Sequence, residues 1–104
     1  MMKKILNALH LHVMHSGHYS LDLSTQIAWD DFPAFATKFL RRSGGSIVRK
    51  IDGPDLRIWN VKIGETELRL VFDDYPAMVS IESSDNIGDL TLKHLLEVLR
   101  TIGI

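Results

Sequence analysis

Histidines are the residues of this sequence whose spacing comes closest to a chemical motif. Four of the five lie within nine residues, as His10, His12, His15 and His18. On a strand, His10 and His12 point to the same face, so their two imidazoles could bind one metal ion together. Zinc sites use three or four ligands, and no carboxylate lies nearer along the chain than Asp22. We therefore expect no bound metal, and keep a small metal-dependent enzyme that uses His10 and His12 as an alternative.

The sequence contains no motif for nucleophilic catalysis or for phosphate binding. The chain has no cysteine, and no serine stands in a G-x-S-x-G pattern. Gly44-Gly45-Ser46 precedes a predicted strand, whereas glycine-rich phosphate loops precede a helix. Asp73-Asp74 stands directly before Tyr75-Pro76 and is typical of a polar turn. We predict no catalytic residue, no enzymatic activity and no cofactor.

Charge is divided unevenly along the chain, although the net charge is only −1. Residues 38–62 carry seven Lys and Arg against two Asp, whereas residues 71–92 carry five Asp and Glu and no Lys or Arg. The lack of a basic excess argues against direct binding of nucleic acid. Two interpretations of the acidic stretch stay open. Its charges could pair across neighbouring strands, or they could steer a basic partner.

The elements that would position these residues begin with a predicted hairpin. Apolar and polar residues alternate from Leu9 to His15, which predicts a strand with Leu9, Leu11 and Val13 facing inward. Ser16-Gly17 predicts a turn, and a second strand follows in which residues 19, 21 and 23 face inward. A helix over residues 2–13 is the competing interpretation, because the apolar residues 5, 6, 9 and 13 also fit helical spacing.

Two amphipathic helices are predicted, the first over 30–42 and the second over 88–101. In the first, Asp30 or Asp31 would cap the start and Gly44 would end it. In the second, Asp85 or Asp89 would cap or charge the start. The apolar stripes consist of residues 32, 35, 36, 39 and 40 in the first helix and 92, 95, 96, 99 and 102 in the second.

Four further strands are predicted over 47–51, 56–63, 66–72 and 77–82. The turns between them are too short for a parallel crossover, so the strands form antiparallel hairpins. The predicted order is β-β-α-β-β-β-β-α over one domain, residues 1–104. We expect an α+β fold with an antiparallel sheet of four to six strands and both helices on one face.

The start of the chain, Met1 to Ile5, resembles a secretory signal, but the histidines interrupt the apolar region and no cleavage site follows. No segment is apolar enough to span a membrane. The absence of cysteine fits a reducing compartment. We therefore expect a cytoplasmic protein.

One stretch of the chain resembles a known group of proteins. Ile58-Trp59-Asn60-Val61-Lys62-Ile63-Gly64, then Leu68 to Phe72, then Asp73-Asp74-Tyr75-Pro76, then Val79-Ser80-Ile81-Glu82 and a closing amphipathic helix look like small bacterial immunity proteins. These are the inhibitors encoded beside polymorphic and contact-dependent growth-inhibition toxins. The resemblance implies a non-enzymatic protein that binds and neutralises one cognate toxin domain.

The acidic stretch is the predicted partner-binding surface, because it could engage a basic toxin. Its residues are Asp73, Asp74, Tyr75, Glu82 and Asp85. A housekeeping interaction domain, including one that forms a homo-oligomer, is a further alternative. The identity and activity of the partner, and the oligomeric state, stay open at this point.

Overall fold

A computed structural model describes residues 6–102 of the chain. Within that range the α+β order predicted from the sequence is confirmed, with one short 3₁₀ turn added before the first helix. The elements are β1 (His10–Val13), β2 (Tyr19–Ser24), the 3₁₀ turn (Trp29–Asp31), α1 (Phe32–Ser43), β3 (Gly45–Asp52), β4 (Leu56–Ile63), β5 (Thr66–Asp74), β6 (Ala77–Glu82) and α2 (Asn86–Ile102).

The described strands form one antiparallel sheet in the order β1-β2-β6-β5-β4-β3. Strands β3 to β6 follow one another as hairpins, whereas the N-terminal hairpin joins the sheet through β2 and the last strand. Consequently β1 and β3 are the two edge strands. β1 has four residues and β3 has eight, so β3 is the longer free edge.

The core lies between one face of the sheet and the two helices. Every residue predicted for the apolar stripe of α1 is buried, as are Leu92, Leu95, Leu96 and Leu99 of α2. Phe32 lies between two sheet residues, with ring centroids 4.9 Å from Trp59 and 5.4 Å from Phe72. The sheet residues in this core are Leu21, Leu23, Trp59, Val61, Leu68, Leu70, Phe72, Val79 and Ile81. The prediction of both helices on one face is therefore confirmed.

The N-terminal hairpin is confirmed as a strand pair, with one error. Residues 10–13 form a strand, so the competing helix is wrong for this part of the chain, and residues 1–5 lie outside the described range. Leu9 and Leu11 pack against the core, but Val13 is 60% exposed. Val13 is the last residue of a short edge strand, where neither helix covers it, so alternation alone placed it wrongly.

The two helices begin in different ways. Neither Asp30 nor Asp31 caps α1 with its side chain, because Asp31 already has helical backbone angles (φ −91°, ψ −12°) at the end of the 3₁₀ turn. The predicted aspartate cap of α1 is therefore wrong. The predicted cap of α2 is confirmed, since Oδ1 of Asp85 accepts a hydrogen bond from the N–H of Gly88 at 2.7 Å. Gly44 ends α1 as predicted, with a φ of +72°.

Within residues 6–102, neither helix has the length and apolar character that crossing a membrane requires.

Candidate protein-interaction site

Three turns meet at one end of the sheet. The β5–β6 turn lies beside the β3–β4 turn, because Asp73 pairs with Leu56 and the N–H of Asp74 donates to the carbonyl of Asp55 at 3.1 Å. The 3₁₀ turn packs at the same end, where the ring of Trp29 lies 5.8 Å from that of Phe72. We call this region the acidic end, because the three turns carry six aspartates: Asp30, Asp31, Asp52, Asp55, Asp73 and Asp74.

Tyr75 stands at the tip of the β5–β6 turn and is 90% exposed. The carboxylate of Asp73 accepts a hydrogen bond from the N–H of Tyr75 at 3.1 Å, which fixes the turn locally. β5 pairs with both β4 and β6 up to the turn, and β6 pairs with β5 from Ala77, so the base of the turn is held by the sheet. The tip therefore presents an aromatic side chain and two carboxylates on a rigid support.

Arg57 is the basic residue of these turns, and its guanidinium already interacts with other groups of the same chain. Its guanidinium lies 4.2 Å from the ring centre of Trp29 and 3.9 Å from Oδ2 of Asp52. Asp52 also accepts a hydrogen bond from the indole nitrogen of Trp59 at 3.0 Å. Among the residues that the structure describes, the other five aspartates of the acidic end make no ion pair.

The structure divides the five predicted partner-binding residues between the two ends of the sheet. Asp73, Asp74 and Tyr75 lie at the acidic end. Glu82 lies at the opposite end of β6, where Oε1 is 2.9 Å from a guanidinium nitrogen of Arg69, and Asp85 caps α2. At that opposite end, an open groove of about 500 Å³ is lined by Glu65, Thr66, Glu67, Ser84, Asp85 and Ile87.

Of the two interpretations of the charge distribution, cross-strand pairing is observed in part, and steering of a basic partner stays a prediction. Cross-strand pairing occurs between Arg69 and Glu82 and between Arg57 and Asp52. The other five aspartates of the acidic end stand in or beside turns instead. Four aspartates of the acidic end were missed from the sequence, at positions 30, 31, 52 and 55. Their shared signal is that each stands in or beside a turn, and the hairpin register then brings the turns together.

The histidine pair sits on the open face of the sheet, away from the helices. The rings of His10 and His12 stack with centroids 5.5 Å apart, so they do share a face. Asp22 reaches them across the strand pair, since Oδ1 of Asp22 lies 3.2 Å from Nε2 of His12 and 3.0 Å from the hydroxyl of Ser80. Over residues 6–102, no three His, Asp or Glu side chains come close enough together to hold a metal ion.

A second histidine–carboxylate pair joins the β1–β2 turn to α2. Nδ1 of His18 donates to Oδ2 of Asp89 at 2.9 Å, and Oδ1 of Asp89 accepts from the N–H of Tyr19 at 2.9 Å. The hydroxyl of Ser83 lies 2.7 Å from the same oxygen. These hydrogen bonds, that of His18 first, lower the pKa of Asp89 to about 2. No local pattern in the sequence indicates this pair, because 71 positions separate its members.

This cluster holds a serine, a histidine and an aspartate but not in a catalytic arrangement. A nucleophilic serine needs its hydroxyl against the histidine, whereas here the serine and the histidine both bond to the carboxylate. Ser83 is also 1% exposed. A side chain at Gly88 would place its Cβ 2.5 Å from the Ser83 hydroxyl, so the glycine is needed for this close packing. The cluster is a structural junction.

Comparison with known proteins gives a family for the chain. No curated protein and no solved structure matches it. A family described as "Protein of unknown function (DUF3630)" matches residues 9–100. This range includes all six described strands, α1 and nearly all of α2. The chain therefore belongs to the DUF3630 family, a family of proteins of unknown function.

Proposed function

We propose that this chain is a non-enzymatic protein-binding module that recognises a basic partner through its acidic end. The observation that carries the proposal is that three separate turns, which together carry six aspartates, lie at the same end of the sheet as the exposed ring of Tyr75. Five of them make no ion pair within the described part of the chain. Like charges gathered at one place destabilise the free protein, and a basic partner would relieve that repulsion.

The chemistry of the surface fits protein recognition. Tyrosine is a frequent anchor of binding energy at interfaces, since it buries a large area with few rotatable bonds. Acidic groups around such an anchor raise the rate of association with a basic protein. The rigid hairpin that carries Tyr75 would lose little conformational freedom on binding.

The partner that we propose is a cognate bacterial toxin domain with a basic surface. Support comes from the resemblance of about residues 19–100 to small immunity proteins, together with the acidic end, which could occupy the site where a cationic toxin binds nucleic acid. In this proposal the protein acts in the cytoplasm by binding and blocking the toxin, without chemistry of its own.

The test is the association rate with the protein encoded by the adjacent gene, measured by stopped flow at low and at physiological salt. Replacing Asp73 and Asp74 by Lys should slow association about tenfold or more at low salt, and less at physiological salt. Co-expression of the unaltered chain should protect cells from that protein, and the Asp73→Lys, Asp74→Lys variant should protect them less.

The matched control reverses two acidic residues at the opposite end of the sheet. Glu65→Lys with Glu67→Lys makes the same change in net charge at exposed positions that line the open groove at that end. We expect this variant to associate and protect almost as the unaltered chain does. If only this control loses binding, the partner uses the groove with Glu82 and Asp85 instead of the acidic end. If neither variant changes the rate, or no complex forms, the proposed function is wrong.

A further inference from the structure

The outer edge of β3 is a second surface with different chemistry. Among the strands that the structure describes, β3 pairs with β4 alone, so its other side offers backbone N–H and C=O groups to an incoming strand. Its eight residues span about 26 Å. Three apolar side chains on it are exposed, with Val48 at 52%, Ile51 at 45% and Ile47 at 37%. Natural edges of this length are usually shortened, covered or protected by charge.

Positive charge follows this edge. Arg49 and Lys50 stand in the middle of β3 and are both exposed, and Arg41 lies beside the strand on α1. We call these three residues and β3 the basic edge. None of the three makes an ion pair within residues 6–102.

A groove beside the edge would receive one side chain of a bound strand. It measures about 260 Å³ and lies between α1 and β3, lined by Thr37, Leu40, Arg41, Gly45, Ser46 and Ile47. Ile47 pairs with the buried Val61, which places its side chain on the helix side of the sheet, where the groove lies. A strand added beside β3 would therefore set alternate side chains towards this groove and towards the open face.

We infer that the basic edge binds an extended protein segment that carries acidic and apolar residues, by adding it as a seventh strand. Backbone hydrogen bonds would supply affinity, while the groove and the positive charges would select the sequence. An acidic residue opposite Arg49 or Lys50 and an apolar residue opposite Ile47 or Ile51 is the pattern that fits. This surface and this partner chemistry are independent of the acidic end.

A second copy of the chain fits the basic edge poorly. Two β3 strands paired with each other would bring Arg49 and Lys50 of both copies together, and like charges across a strand pair are destabilising. The other edge strand, β1, has four residues and no acidic residue. The acidic end of a second copy offers only a two-residue free stretch, Ala77 and Met78 of β6, because the rest of β5 and β6 is paired on both sides.

A single-stranded nucleic acid also fits less well than a peptide. Proteins that bind single strands stack the bases on exposed aromatic rings. On this edge the exposed apolar residues are aliphatic, and Trp59 beneath Lys50 is 1% exposed. The surface therefore has phosphate-compatible charge but no stacking platform among the described residues.

The test titrates the full chain with two end-blocked nine-residue peptides of valine and threonine, one with two adjacent central glutamates and the other with two lysines. We expect the glutamate peptide to bind at least about tenfold more tightly. A version of it with proline at alternate positions should lose binding, because proline removes backbone donors. Amide hydrogen exchange should slow in β3 on binding and stay unchanged in β1.

Charge-reversed variants make the test specific. Arg49→Glu with Lys50→Glu should reverse the preference to the lysine peptide, whereas the matched control Lys93→Glu with Arg100→Glu on α2 should keep it. If the first variant does not fold, Arg49→Gln with Lys50→Gln should abolish the preference without reversing it. Thermal melting of each variant shows whether it is folded.

Several results would overturn the proposal. The first is equal binding of both peptides, or no binding up to about 1 mM, a limit that corresponds to weak association. The second is protection of amides outside β3 and its neighbours. The third is slow exchange in β3 that depends on protein concentration without peptide, which would make a second copy the occupant. The last is tighter binding of a ten-nucleotide oligothymidylate at the same residues. Each of these results leaves the proposal for the acidic end unaffected.

Discussion

The acidic end and the basic edge both combine exposed charge with exposed apolar groups, yet they can recognise a partner in different ways. At the acidic end β5 is paired on both sides and only Ala77 and Met78 of β6 lack a partner on one side, so contact there is made mainly by side chains. At the basic edge one side of an eight-residue strand has no partner strand within residues 6–102. The difference shows that the charge of a surface determines the charge of the partner it attracts. Whether the partner must be an extended segment depends on whether the surface includes an edge strand of the sheet.

The largest effect that we expect comes from removing the core beneath the acidic end. Phe72 is fully buried against Phe32 and Trp29, and Phe72→Ala should lower the free energy of unfolding by about 3–5 kcal/mol through the cavity it leaves. Chemical denaturation measures this loss. Val71→Ala, one position along and only half-buried on the open face, should cost clearly less.

Hydrogen exchange on Phe72→Ala sharpens the comparison. Because one core cluster supports both surfaces, we expect β3 and the acidic end to lose protection together. Loosening of the acidic end alone would mean that the two surfaces belong to separate cooperative units, against the single core described above.

A smaller effect is expected from the aromatic anchor. If the acidic end binds as proposed, Tyr75→Ala should weaken the complex by about 2 kcal/mol, mainly through faster dissociation. The charge reversal at positions 73 and 74 should instead slow association, so kinetics separates the two contributions. Arg49→Glu with Lys50→Glu should alter neither rate. A strong effect of that edge variant on the same complex would mean that one partner covers both surfaces.

The cap of α2 provides a test at the opposite end of the sheet. Asp85→Ala removes the acceptor for the N–H of Gly88 and should lower the free energy of unfolding by about 1 kcal/mol. Asp55→Ala at the acidic end, where the side chain makes no ion pair with a described residue, should change it by less than about 0.5 kcal/mol. Similar losses in the two variants would contradict the distinction between an acid used in the fold and one free for a partner.

The smallest expected effect is a change in the pH dependence of stability. The pKa of Asp89 is lowered to about 2 in the folded chain, below its ordinary value of 3.8, so the unfolded chain takes up this proton first as the pH falls. The stabilisation is complete above about pH 4 and is lost as the pH falls through about 2. Asp89→Asn should flatten the fall of the melting temperature across that range. An unchanged slope would show that the hydrogen bonds from His18 and Tyr19 do not lower this pKa in solution.

Much of the fold could be predicted because its elements are locally consistent. The stripe of α1, residues 92–99 of the α2 stripe and the alternation in β4 to β6 follow from single short windows of sequence, and each proved to face the core. The side chain of Ile102, the last residue of the predicted α2 stripe, lies outside the described part of the chain. The prediction that Val13 faces inward was wrong because alternation does not reveal where the covering helices stop. The prediction that Asp30 or Asp31 caps α1 was wrong because the sequence does not show that a 3₁₀ turn gives Asp31 helical backbone angles.

The candidate site was harder to predict, because it is a product of register. The excess of acidic residues over 71–92 predicted Asp73, Asp74 and Tyr75 as part of the site. The same excess also led us to include Glu82 and Asp85, which lie at the other end of the sheet because β6 runs between the two ends. Asp55 lies beside Asp74 only because β4 and β5 pair as they do. The pair of His18 and Asp89 depends on the packing of α2 on the first hairpin, which no local pattern contains.

The pairing of β2 with β6 has a consequence for how the chain is made. Synthesis delivers Leu21 and Leu23 early, yet the strand that pairs with β2 on its inner side ends at Glu82 and the covering helix comes later still. The hairpins from β3 to β6 close over short separations, whereas the contact from Leu21 to Ile81 spans most of the chain and forms slowly. During synthesis, the apolar residues of the first hairpin therefore stay uncovered until the last fifth of the sequence has left the ribosome.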